Sequence, residues 1–232
     1  VVRLVGSEMC IRDRNRHIKF FFIFFSLFLY SFNSNSHPQY YIKFKSVEME
    51  VLRNGKVIGF SKYYFNYKDQ FLEVKNETKF EVKLAGLKIF EIKSEGMERY
   101  DKNNLVSYNS KTSQNDKKKF VNLKLSENKK KFQIIGSSYV GNADLDSVIG
   151  NWWNHDILQV DSQISPLSGS IKEQVVKLVG KESITINNKK YLTERYKLNS
   201  KDPNTPENKK LDFDIWYNNC LLYTSDAADD IP

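Results

Sequence analysis

Between Phe71 and Lys83 the chain reads FLEVKNETKFEVK, and its side chains change character at nearly every step. Leu72, Val74, Thr78, Phe80 and Val82 share one parity; Glu73, Lys75, Glu77, Lys79, Glu81 and Lys83 share the other. A period of two fits a β-strand with one buried and one wet face, and a helix would scatter the same residues around its circumference. Thirteen residues at about 3.3 Å each extend roughly 40 Å, and a strand of that length twists and coils instead of lying flat. The sheet that holds it is therefore expected to be antiparallel, wet on one face and strongly curved.

The alternation continues on both sides. Val47, Met49 and Val51 share a face, and Arg53-Asn54-Gly55-Lys56 carries Asn-Gly, the strongest short-range hairpin signal. Val57–Tyr67 then returns, and Lys68-Asp69-Gln70 turns into the strand described above. Further alternating stretches lie at Leu87–Lys93, Glu98–Tyr100, Leu105–Asn109, Phe120–Leu125, Lys131–Ile135, Ile171–Leu178, Ser183–Ile186, Tyr191–Leu198 and Leu211–Trp216. They bring the expectation to about ten or eleven strands joined by short loops. The fold class is all-β: a strongly twisted antiparallel meander forming an open or partly closed barrel. The rhythm fails over Gly136–Gly169, where a short helix or ordered loop is expected around 142–156, capped by Asp144 and lying over one end or the open face of the sheet. The polar stretch Asn199–Lys210, with Pro203 and Pro206, reads as a surface connection.

The two ends do not match the middle. Gly6–Arg14 (GSEMCIRDR) and Cys220–Asp230 (CLLYTSDAADD) resemble sequencing-adapter DNA translated in frame, so 1–14 and 220–232 are set aside as adapter-derived. Both cysteines fall there. Asn15–Lys19 is basic, Phe20–Phe32 is uncharged and mostly apolar, and Ser34 and Ser36 precede His37 with the spacing of a cleavage site. Together they make a signal peptide over 15–36, too short in its apolar run for the roughly 20 residues that span a bilayer. The expectation is an exported protein, located in the periplasm, with no transmembrane segment after cleavage. Its body, 37–219, is a single β domain truncated at its C-terminal end.

Several segments in order carry a family resemblance: Asn54-Gly55-Lys56-Val57-Ile58-Gly59, the Val82–Leu87 strand end, Glu98-Arg99-Tyr100, Thr112, Trp153-Asn154 with Ile157-Leu158, Pro166–Gly169, Leu178–Glu182 and Ile215-Trp216-Tyr217. Over roughly Tyr40–Asn219 the chain resembles the bacterial exported family known as domain of unknown function 6134. The resemblance implies an exported, β-rich protein and brings no activity with it. Family members usually continue past the Trp-Tyr strand with at least one further hairpin, so an unpaired, sticky edge is expected where the adapter-like residues begin.

The catalytic inventory is thin. Of the three histidines only His37 and His155 lie within the body; His37 sits at its expected N-terminus, His155 lies near Asp144, Asp146 and Asp156, and no G-x-S-x-G nucleophile elbow accompanies it. Asn142–Asp146 has the start of a calcium loop but lacks its sixth-position glycine and has Trp153 in place of the closing glutamate. No cofactor and no metal are therefore expected. The net charge of +8 rests on lysine runs at Lys117–Lys119, Lys129–Lys131, Lys189–Lys190 and Lys209–Lys210, all at or beside turns, which argues against nucleic acid. Trp152, Trp153, Asn154, Tyr63, Phe65, Phe80 and Trp216 are the candidate ligand-binding residues; their aromatic members either line an apolar pocket or pack as core. Three readings follow. The first is a non-enzymatic exported protein that binds a lipid, another apolar ligand or an envelope protein in its concave face. The second is a hydrolase built on 142–156, and the third is a purely structural envelope protein.

Overall fold

The computed structural model describes residues 2–6, 44–128, 130–186, 188–218 and 221–227; the signal-peptide segment 15–36 lies outside them. The described residues hold fifteen strands in one sheet. In chain order they are β1 (Val2–Gly6), β2 (Ser46–Arg53), β3 (Lys56–Lys68), β4 (Phe71–Leu84), β5 (Leu87–Asp101), β6 (Asn104–Gln114), β7 (Lys117–Leu125), β8 (Phe132–Gly136), β9 (Val140–Ala143), β10 (Val148–Ile149), β11 (Ser162–Ile164), β12 (Ile171–Ile186), β13 (Lys189–Ser200), β14 (Asp212–Asn218) and β15 (Leu221–Ala227). Every pairing is antiparallel except the short parallel contact of β10 with β11. The all-β meander is as the alternation requires.

Of the open or partly closed sheet expected from sequence the open form is found, and two further details differ from the sequence reading. The strand order runs β10-β11-β12-β13-β14-β15-β1-β2 and on to β9, with β9 and β10 at opposite ends and not paired, so the sheet is open and not a closed barrel. The edge expected to stay unpaired after β14 is covered: β15 pairs with β14 on one side and with β1 on the other, and β1 pairs with β2. Finally, two pairs of expected short strands are each one long strand. Leu87–Asp101 runs unbroken for 15 residues, and Ile171–Ile186 for 16 with a bulge between Leu178 and Gly180.

Gly96 explains why β5 was split on paper. It breaks the apolar pattern, yet a Cβ at this position would lie 2.2 Å from Asn76 Oδ1 and 2.8 Å from Tyr108 Oη. Only a glycine lets β4, β5 and β6 keep their ladder where the Tyr108 ring crosses the inner face.

The inner face does not enclose a void. Ala143–Gly169 folds beneath the curled sheet as an ordered segment of bends, the two-residue β10, a 3-10 turn at His155–Leu158 and β11. No α-helix forms in it, and the cap of the 3-10 turn is Asn154, whose Oδ1 accepts from the Asp156 N–H at 3.0 Å. Asp144, the cap expected from sequence, stands exposed at 3.6 Å from Lys131.

Each of the three apolar clusters contains this segment. Trp153 and Ile157 join Met49, Tyr63, Leu72, Tyr100, Leu198 and Ile215. Ile149 and Ile164 join Tyr108, Val121, Leu123 and Ile134. Leu167 packs on Val82, Phe90 and Ile92. Residues of β3, β5, β13 and β14 share one cluster with Trp153 although β5 and β14 stand six places apart in the sheet, which measures how far the sheet has curled.

Candidate functional site

β5 has the burial pattern of an inner strand from Phe90 to Tyr100, and its parity brings Ser94, Gly96 and Glu98 inward with the apolar residues. Glu98 is thereby carried to the centre of the molecule, with none of its surface exposed. A carboxylate in that position is costly unless its oxygens are hydrogen-bonded. The inserted segment supplies two of the donors: Asn151 Nδ2 donates to Oε1 at 2.5 Å and Trp153 Nε1 donates to the same oxygen at 3.0 Å. Tyr100 Oη donates to Oε2 at 2.5 Å. Burial pushes the Glu98 carboxyl above its ordinary range, and the three hydrogen bonds pull it part of the way back. Burial and the neighbouring Glu98 together raise the Tyr100 hydroxyl well above its usual value.

Further ties hold the segment from the other side of the sheet. Gln174 on β12 donates to the Ile157 and Val160 carbonyls at 2.7 and 3.0 Å, and Tyr217 on β14 donates to the Trp152 carbonyl at 2.9 Å. Tyr108 and Ser110 of β6 both donate to the Pro166 carbonyl, at 3.1 and 2.7 Å. The segment is a plug fastened to both flanks of the curl.

The candidate ligand residues divide accordingly. Tyr63, Phe65 and Trp153 form one packed group, with the Trp153 ring edge-on to Phe65 at 5.4 Å and to Tyr100 at 5.7 Å. Burial raises the Tyr63 hydroxyl to about 12. Trp152 packs edge-on against Phe213 at 4.8 Å. Phe80 lies in a different cluster, 6.0 Å from Phe90. Trp216 stands apart from both, with its indole N–H on Glu182 and the Arg195 guanidinium 5.2 Å above its ring. Of these candidates only Asn154 lines a cleft.

The cleft, of about 570 Å³, lies where the β5–β6 turn faces the plug. Leu105, Leu125, Phe132 and Val148 are among its apolar lining residues and Asp101, Asp146 and Asp156 among its polar ones, and among the described residues no lysine or arginine lines it. The sequence reading missed this cleft. Its walls come from segments 20 to 60 residues apart, roughly, and no local pattern announces that they meet.

His155 does not belong to the cleft. It is buried, with its ring 4.0 Å from that of Tyr217, and burial lowers it to about 4. Among the described residues no three His, Cys, Asp or Glu side chains gather as metal ligands, and no helix is long and apolar enough to cross a membrane.

Fold and site together define a class: an antiparallel sheet curled around a plug from its own chain, with a buried carboxylate fastening the two. The chain belongs to the family described as Domain of unknown function (DUF6134), whose model spans residues 49–221, close to the Tyr40–Asn219 expected from the motifs. Comparison with curated proteins and with solved structures gives no match.

Proposed function

We propose that this is an exported, non-enzymatic binding protein of the bacterial envelope, delivered to the periplasm by the 15–36 signal. Its ligand has an apolar body and a cationic or donor-bearing head. The observation that carries this reading is the cleft between the β5–β6 turn and the plug. Its volume of about 570 Å³ is in the range of small-molecule sites, roughly 300–1,000 Å³. A lining that mixes apolar side chains with three carboxylates suits an amphipathic molecule, and a lipid or lipid-like amine is the simplest member of that class. The concave face itself is occupied by Trp153 and Ile157, so the ligand site moves from the middle of the sheet to its rim. The hydrolase reading finds less support, because His155 is buried and is not among the residues that line the cleft.

The test is uptake of mono-dansylated 1,12-diaminododecane, whose second amine stays free and protonated, by the full chain, followed by fluorescence, beside the uncharged N-dodecyl dansylamide. The amine binds in preference to the amide, and Val148→Trp, which fills part of the cleft, weakens it at least about tenfold. Absence of uptake, or equal uptake by Val148→Trp, contradicts the proposal. A purely structural role is the second reading, favoured by the complete burial of Trp153. Under it Trp153→Ala loses about 3–5 kcal/mol of stability and no probe binds either protein.

A further inference from the structure

Four hairpin turns of the sheet have polar centres: Asn54-Gly55, Asp69-Gln70, Lys102-Asn103 and Asn115-Asp116. The β4–β5 turn is different. It reads Leu84-Ala85-Gly86-Leu87, and both leucines point into solvent, Leu84 at 68% and Leu87 at 72% exposure. Ala85 is held at φ 50°, a left-handed conformation that glycine, asparagine or aspartate adopts more readily. A tight turn with this sequence gains nothing in water from its two leucines.

The neighbouring tips extend the apolar surface and surround it with charge. β3 begins and β4 ends at the same end of the sheet, so the β2–β3 tip lies beside the β4–β5 tip, and its Val57 is 56% exposed. A bulge places Ile89 outside the β4–β5 register, 42% exposed. Lys83 and Lys88 stand directly opposite one another across the hairpin, an arrangement of like charges that costs stability. Glu81 and Glu91 each hold one of them, at 2.8 and 3.0 Å. Lys56 on one adjacent tip and Lys117 and Lys118 on the other are exposed. This is an apolar point within a collar of cations.

We propose that this end of the sheet docks on an anionic lipid surface, with Leu84 and Leu87 entering the headgroup region and the lysine collar contacting lipid phosphates. The pairing is the one that peripheral membrane attachment requires: apolar side chains for depth, basic residues for attraction. Scattered surface leucines need no explanation, but here two of them close one turn, beside Val57 and Ile89, with Lys56, Lys83, Lys88, Lys117 and Lys118 around them. The cleft lies at the other end, around the β5–β6 turn, and stays open to solvent in this orientation.

Co-sedimentation of the full chain with vesicles tests this. Phosphatidylcholine vesicles with about one third phosphatidylglycerol pull down the protein, pure phosphatidylcholine vesicles do not, and raising salt from about 0.1 M to 1 M releases most of it. The double variant Leu84→Ser/Leu87→Ser binds at least tenfold more weakly, and so does Lys83→Gln/Lys88→Gln, with melting curves unchanged. Leu192→Ser, which alters an equally exposed leucine on β13 (63%), binds like the parent. Failure of the parent chain to sediment with anionic vesicles overturns the proposal, as does undiminished binding by the folded Leu84→Ser/Leu87→Ser variant or equal loss in Leu192→Ser.

Discussion

Glu98 decides the plug's position because three donors converge on one buried side chain. Glu98→Ala leaves Asn151, Trp153 and Tyr100 without their acceptor, at about 1–3 kcal/mol for each buried group; a total loss of roughly 3–5 kcal/mol is expected in denaturant unfolding. Glu98→Gln keeps an acceptor oxygen for Asn151 and Trp153 and costs about 1–2 kcal/mol. The pH dependence gives a second readout. The folded chain holds the Glu98 proton more tightly than the unfolded chain does. This contribution is therefore full below the ordinary value of about 4.3 and is lost as pH rises through the folded one. Glu98→Gln removes that downward slope. The residue was within reach of the sequence: Phe90, Ile92, Ser94, Gly96, Glu98 and Tyr100 share parity, so a carboxylate on the inner face follows from counting by two. It entered the reading only as part of a motif. Its partners, 53 and 55 residues further on, leave no trace in local spacing.

Among the elements, the strands were legible and the plug was not. In β4 the burial of Leu72, Val74 and Val82 follows the alternation, since each strand position either meets the core or meets water. β5 and β12 were cut short on paper because Gly96 and the Gly180 bulge interrupt an apolar pattern without interrupting a backbone ladder. The plug lacks any period, because its residues are chosen by the surfaces they meet: Ile149 and Ile164 one cluster, Trp153 and Ile157 another. His155 makes this element acid-sensitive. Its folded value of about 4 against an ordinary 6.5 means that the unfolded chain takes the proton first. Stability is then lost as pH falls from 6.5 through 4, by on the order of 3 kcal/mol at 1.36 kcal/mol per pH unit. The sign is opposite to that of Glu98, so the two are separated by variants. His155→Phe keeps a ring against Tyr217 and flattens the acid limb of unfolding free energy measured against pH; an unchanged limb would remove His155 from the explanation.

In the whole molecule, one sheet unites two blocks of strands. β2 to β9 form a continuous meander, β10 to β14 form the other block, and β15 and β1 fill the place between β14 and β2. That place is two strands wide. Val2–Gly6 and Leu221–Ala227 occupy it although their sequences stand apart from the body, and main-chain hydrogen bonds, which do not depend on side-chain identity, are sufficient for such pairing. The plug provides a second connection between the blocks, through side chains: Glu98 and Tyr108 hold it from one, Gln174 and Tyr217 from the other. The central claim is that Ala143–Gly169 is the interior of this protein and not a loop laid across it. Amide hydrogen exchange on the intact chain measures this directly. Peptides covering Ile149–Leu158 are expected to exchange as slowly as those of β5, about a hundredfold or more below the connection at 201–210. Exchange of Ile149–Leu158 at the rate of that connection, with β4 and β5 still protected, would contradict the account.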